Sequence, residues 1–194
     1  MTDMKRFSKR VVLASASPRR REILTDMGVE FEILPSDIDE SRISAANPRM
    51  LTKRLAAAKA DAVDAVGATV IGADTVVVLH GRVYGKPHTS ENAVRMLGEL
   101  CGRWHTVYTG VCVKCGDEKV IFSVRSRVKL KALRKDEIVR YVADANPLDK
   151  AGAYGLQDGR VVEKYRGSYT NIVGLPKEKL ASTLARIGVT NGSY

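Results

Sequence analysis

The chain has no run of the roughly 20 apolar residues that a membrane-spanning helix requires. Its first nine residues, Met1 to Lys9, are polar and carry no apolar stretch of the kind a secretory signal uses. Both absences predict a protein with no membrane segment that works in the cytoplasm. Cysteine is sparse and odd in number, and Cys101, Cys112 and Cys115 argue for reduced thiols rather than a disulfide framework. Cys112 and Cys115 do form a C-x-x-C. However, Val107, Thr109, Val111 and Val113 alternate with the period of a strand, which sends the two thiols to opposite faces. The three histidines, His80, His88 and His105, are scattered and lack zinc-ligand spacing. One Trp and three Phe are too few to suggest interleaved stacking platforms, which argues against a single-stranded nucleic-acid partner. Neither G-x-x-x-x-G-K-[ST] nor G-x-G-x-x-G occurs, so no P-loop and no Rossmann dinucleotide site is signalled.

What is present is an ordinary globular composition, 44% hydrophobic and 28% charged, with a formal net charge of +10. The positive charge attracts polyanions without choosing among them. It is dispersed, with its densest cluster between Arg125 and Lys135. Glycines, prolines and changes of period divide the chain into alternating elements. A strand at Val11–Leu13 precedes a helix from Ser17 to Met27, with Ser17 as its cap. A second strand alternates through Val29, Phe31 and Ile33, and a helix runs from Pro48 to Val66. The apolar strand from Ala68 to Leu79 is interrupted at Gly72-Ala73-Asp74-Thr75. A helix capped by Ser90 ends near Leu100. Two long strands, 104–114 and 119–131, form a hairpin about Gly116-Asp117. A helix opens at Asp136, a short strand at Val161, and a closing helix spans Leu175 to Ile187. The pattern predicts an α/β fold, a mixed twisted sheet with helices packed on it. Residues 10–194 read as a single domain, and residues 1–9 as an N-terminal extension.

Four segments could carry chemistry. In Leu13-Ala14-Ser15-Ala16-Ser17-Pro18-Arg19-Arg20-Arg21, a small-residue turn leads from a strand into a helix, with Pro18 at the first helical position. Three arginines sit at the positive end of the helix dipole, which suits a polyphosphate; the alternative is a solvated basic helix start. Asp74 breaks an apolar run, and an ionised carboxylate buried there needs a metal, a lysine or a bend that opens the strand to a cleft. A structural Asp bonded to a turn is the competing reading. Lys86, between Gly85 and Pro87, is a point charge suited to a phosphate oxygen or simply part of a turn. The loop from Asp149 to Gln157 combines small residues, which permit close approach of a ligand, with an Asp-Lys pair and an amide able to meet a base edge. That Asp-Lys pair reads equally as a surface ion pair.

Taken in order, the arginine turn, Gly72-Ala73-Asp74-Thr75, Gly85-Lys86-Pro87, Asp149-Lys150-Ala151-Gly152-Ala153-Tyr154-Gly155 and Gly174-Leu175-Pro176 resemble the Maf family of nucleoside triphosphate pyrophosphatases from about Arg10 to Ile187. The resemblance implies an elongated two-lobed fold like that of the inosine triphosphate pyrophosphatases, with a central cleft and a homodimeric state. It implies hydrolysis between the α- and β-phosphates with a divalent cation, Mg²⁺ or Mn²⁺. Asp74 then corresponds to the general base and a metal ligand, and Glu40, in the loop Ser36 to Ser41, to a second metal ligand. Ser15, Arg19, Lys59 and Lys86 match phosphate-facing positions, while Arg20 and Arg21 raise the local potential or support the helix. Arg19, Thr75 and Gln157 match the branch acting on dTTP and UTP. The branch acting on 7-methyl-GTP, and a basic nucleic-acid-binding or cell-division module, are the alternatives.

Overall fold

The computed structural model describes residues 10–189; the N-terminal extension expected at residues 1–9 lies outside them. The elements, in chain order, are β1 (Val11–Leu13), α1 (Pro18–Asp26), β2 (Glu32–Ile33), α2 (Pro48–Asp61), β3 (Thr69–Leu79), β4 (Arg82–Tyr84), α3 (Ser90–Leu100), β5 (Trp104–Cys115), β6 (Glu118–Leu130), α4 (Lys135–Ala145), β7 (Val162–Arg166), α5 (Tyr169–Val173) and α6 (Lys177–Arg186). The seven strands form one mixed sheet in the order β2-β1-β3-β5-β6-β7, with β4 also on β3. Only β1 runs parallel to its neighbours β2 and β3.

The expected fold class is therefore found, with local differences. β3 runs unbroken through Gly72-Ala73-Asp74-Thr75. Glycine at 72 does not bend the strand; it admits a helix. A Cβ there would lie 2.3 Å from the Ala56 carbonyl oxygen, and one on Gly110, opposite Asp74 on β5, would lie 2.2 Å from that of Thr52. Both glycines let α2 sit directly on the sheet backbone. That helix stops at Asp61, five residues before Val66. The second strand is confined to Glu32–Ile33. Thr89, rather than Ser90, caps α3 by accepting from the Asn92 N–H, and the Ser17 side chain makes no cap bond to α1. The closing helix, expected over Leu175 to Ile187, is found at Lys177–Arg186, and a further short helix, Tyr169–Val173, precedes it, ended by Gly174 with φ 128°.

Side chains sort by the period of two along each strand. On one face, Ile71, Ala73, Val111 and Val113 pack against α1 and α6 through Ile23, Leu24, Leu180 and Leu184. On the same face, Val77, Val107, Val128 and Leu130 pack against α3 and α4 through Leu97, Leu100, Ile138 and Tyr141. The opposite face receives α2, whose Ala56 and Ala60 meet Val12, Val70 and Cys112.

One irregularity of the sheet makes the cleft. Along the edge of β3 away from β5, β1 pairs with residues Thr69 to Ile71 and β4 with Val77 to Leu79. Residues 72 to 76 have no ladder partner on that edge among the described residues.

Candidate active site

The gap between β1 and β4 is filled by the chain that leaves β1. Ala14 continues the ladder for one bond, donating its N–H to Ile71 at 2.9 Å, and the chain then turns through Ser15-Ala16-Ser17 into α1. The three arginines of α1 part company because successive helical residues point about 100° apart. Arg20 enters the gap. Its Nε donates to the Gly174 carbonyl at 2.9 Å, Nη1 to Ser15 Oγ at 3.0 Å and Nη2 to Thr75 Oγ1 at 3.4 Å. Burial depresses its pKa, and the charge of Asp74 opposes that effect. Of the two roles expected of Arg20, raising the local potential or supporting the helix, the geometry fits the first, with the guanidinium held in the wall of the cleft.

Asp74 points to the α2 face. Its compensating partner is Lys59, whose Nζ donates to Asp74 Oδ1 at 2.7 Å, with both side chains about nine-tenths buried. Lys59 reaches that point because Gly72 and Gly110 let α2 close on the sheet. The same ammonium lies 2.8 Å from Glu40 Oε1, in a short 3-10 turn at Glu40–Arg42. Burial works to raise the Glu40 pKa, but the hydrogen bond and charge of Lys59, helped by Lys86 and Arg20, hold it below its ordinary value. Ser15, Arg19, Arg20, Glu40, Lys59 and Lys86 line one cavity of about 340 Å³. The net charge of this wall is positive, and Ser15 adds a hydroxyl.

Arg19 takes another direction. Its Nη1 donates to Asp149 Oδ2 at 2.6 Å, and Lys150 Nζ donates to the other oxygen at 2.7 Å. Asp149 thus bridges two cations rather than forming a simple surface pair. The Gly152 N–H donates to the Gly85 carbonyl at 3.0 Å, which draws the 149–157 loop to the segment carrying Lys86. Arg19, Lys86 and Asp149 line the first cavity and also a second, which continues past them.

The second cavity lies toward the opposite face of β3. Thr75, Val77, Val107, Tyr154, Gln157 and Ile172 are among its walls. Thr75 Oγ1 lies 2.9 Å from Thr109 Oγ1, which donates to the Asn171 carbonyl at 2.8 Å. Gln157 is exposed at the rim, and Tyr154 is buried. Two side chains that sequence reasoning passed over fix this wall. The Tyr154 hydroxyl and His105 Nε2 lie 2.7 Å apart, with the rings edge to face at 5.4 Å. The Tyr141 hydroxyl accepts from the Gly155 N–H at 3.2 Å and donates to Asp158 Oδ2 at 2.7 Å. Burial pushes the His105 pKa down to about 4, so the ring is neutral near pH 7. The available signal was period two: His105 lies in register with the buried positions Val107, Thr109 and Val111.

The expected site residues Ser15, Arg19, Glu40, Lys59, Thr75, Lys86 and Gln157 thus border one two-part cleft, and Asp74 lies buried directly behind Lys59. Its donor set also suits a divalent cation. Glu40 and Asp74 converge on a single positive charge, the Lys59 ammonium, and Mg²⁺ is commonly held by one or two carboxylates together with substrate phosphate oxygens and water. Among the described residues no group of three or more His, Cys, Asp or Glu could hold a metal without such added ligands. The Cys112 thiol is buried, and burial pushes its pKa up to about 11.

A family model described as Maf-like protein matches residues 10–187. A dTTP/UTP pyrophosphatase of Thermosipho africanus is 45% identical over 186 residues, covering 95% of this chain and 96% of that protein. A dTTP/UTP pyrophosphatase of Moorella thermoacetica is 50% identical over 188 residues, covering 93% and 96%. Among solved structures, a HAM1 protein from Coxiella burnetii aligns with a TM-score of 0.51 at 17% identity, over 92% of this chain and 99% of that one. That last likeness is one of fold.

Proposed function

Because the chain belongs to the Maf family, we propose that it is a nucleoside triphosphate pyrophosphatase that splits dTTP and UTP into the monophosphate and pyrophosphate. The observation that carries the reading is the meeting of a cavity walled by Arg20, Lys59 and Glu40 with one whose far wall is Thr75, Val77, Val107 and Tyr154, at the shared charged wall of Arg19, Lys86 and Asp149. The two cavities match the two ends of a nucleotide. The triphosphate lies against Ser15, Arg19, Arg20, Lys59 and Lys86, and the pyrimidine lies between Thr75, Tyr154 and Gln157. The Gln157 amide can both donate to and accept from a uracil or thymine edge. One extra methyl on the base changes binding little, so both substrates are accepted.

A divalent cation, Mg²⁺ or Mn²⁺, held by Glu40 and Asp74 with the phosphates, would neutralise charge on the triphosphate. Asp74 accepts a proton from water on a carboxylate oxygen not engaged by Lys59. The water oxygen forms a bond to the α-phosphorus, and the bond from that phosphorus to the bridging oxygen breaks. Lys86, Arg19 and Lys59 receive the negative charge that moves onto the departing pyrophosphate. Asp149 occupies Arg19 and Lys150 until the phosphates displace it. We further read the protein, on its family membership, as a homodimer working in the cytoplasm.

The experiment is pyrophosphate release across a nucleotide panel, with Mg²⁺, Mn²⁺ or excess chelator. The expected result is release from dTTP and UTP well ahead of CTP and GTP, lost with chelator. Release from 7-methyl-GTP far ahead of UTP would replace this specificity, and no release from any triphosphate would overturn the activity.

A further inference from the structure

Among the described residues, the face of the sheet that receives α2 is only half covered. The other helices pack on the opposite face, and α2 crosses at Gly72 and Gly110. Beyond Gly110 the bare face holds Tyr108 paired with Arg125, Thr106 with Arg127 and Arg166, and Trp104 with Lys129 and Lys164. Five cations thus stand on one pleated surface. Lys129 and Lys164 share Glu163, at 2.9 and 3.2 Å. Arg125, Arg127 and Arg166 have no carboxylate partner among the described residues. Two of them are ordered by an aromatic ring: the guanidinium carbons of Arg127 and Arg166 lie 5.1 and 5.4 Å from the centre of Trp104.

We propose that this bare face binds single-stranded nucleic acid, a role separate from the nucleotide cleft. Composition argued against such a partner because aromatics are few, but the fold places the chain's one tryptophan among the clustered arginines. Residues 125, 127 and 129 recur every second position along β6, about 7 Å apart, close to the phosphate spacing of an extended strand. An open sheet of arginine and aromatic side chains offers phosphate contacts on its cations and stacking on its ring and guanidinium planes. A second copy of this chain would set like charges against each other, whereas a polyanion relieves their repulsion.

The test uses a labelled 20-nucleotide oligo(dT) and the full chain. Anisotropy is measured between 50 and 200 mM salt, with Trp104 emission as an internal reporter. Neutralising three to five phosphates gives an expected log–log salt slope of about −2 to −3.5. Binding should change Trp104 emission and persist in saturating UTP with chelator present. A variant combining Arg125→Glu, Arg127→Glu and Arg166→Glu should bind at least tenfold more weakly, with its slope shallower by about 2. Its hydrolysis of UTP should stay within twofold, which also shows that it folds. The proposal is overturned if the wild type does not bind at 50 mM salt, if UTP displaces the strand, or if the triple variant binds as tightly. It is overturned equally if a duplex of the same length binds more tightly, or if the variant dissociates a dimer that buries this face.

Discussion

In front of Asp74 the cleft is walled by charge: Lys59 and Arg20 come from two helices, Glu40 from a 3-10 turn and Lys86 from a loop. Around Thr75, the next residue of the same strand, Val77, Val107, Ile172 and a buried tyrosine form an uncharged far wall, and charge reaches it only from the side shared with the first cavity, through Arg19, Arg20, Lys86, Asp149 and Lys150. The difference shows how one strand can present two surroundings with no added length. Neighbouring side chains on a pleated strand leave it on opposite faces. A missing stretch of ladder between β1 and β4 brings both faces to one opening. On the proposed function, the phosphates and the chemistry fall to one side and base selection to the other.

The sharpest way to break this division is Asp74→Asn. It should lower kcat for UTP by at least about 10³, the scale of losing a central electrostatic or proton-accepting group. The preference for UTP over CTP in the residual activity should survive. Activity within a few-fold of wild type would show that the charged half does not depend on Asp74.

On the Thr75 half the expected effect is on stability. His105 is held neutral with a pKa near 4, against an ordinary value of 6.5. The unfolded chain therefore binds more protons between these values, and stability falls as pH drops from about 6.5 to about 4. The loss attributable to this ring is about 3 kcal/mol. Denaturant melts across that range should show a shallower decline for His105→Gln than for the wild type. Equal slopes would mean that burial of His105 does not set the acid limit of the neutral wall.

The smallest effect is expected at the rim. Gln157→Glu replaces the donor and acceptor amide with a carboxylate, and should cut kcat/KM for UTP by about 10 to 100-fold. Folding stability and metal requirement should be unchanged, because Gln157 is exposed. An equal loss for every triphosphate would blur the boundary between the halves.

Much of the cleft was legible before the structure. An aspartate inside an apolar strand demands compensation, and Lys59, beside the apolar stripe of α2, supplies it. The small residues of 149–157 marked a loop that lines the cleft. Other features were not legible. Three consecutive arginines look alike in sequence, and only packing selects Arg20 for the gap and Arg19 for Asp149. Gly72 looked like a break in the strand because its contact partner, the backbone of α2, lies more than ten residues away in the chain. His105 and Tyr154 are 49 residues apart, and nothing local announces their hydrogen bond.

The sequence by itself determined the alternation of strands and helices, the arginine-bearing turn into α1 and the family, since each is written in short-range pattern or ordered motif. Tertiary structure alone decided where the ladder is left open, which arginine fills it, how closely α2 approaches, and which half of the sheet stays bare. Those outcomes depend on contacts between segments distant in the chain. Their free energies come from burial and from the pairing of charges that no local period encodes.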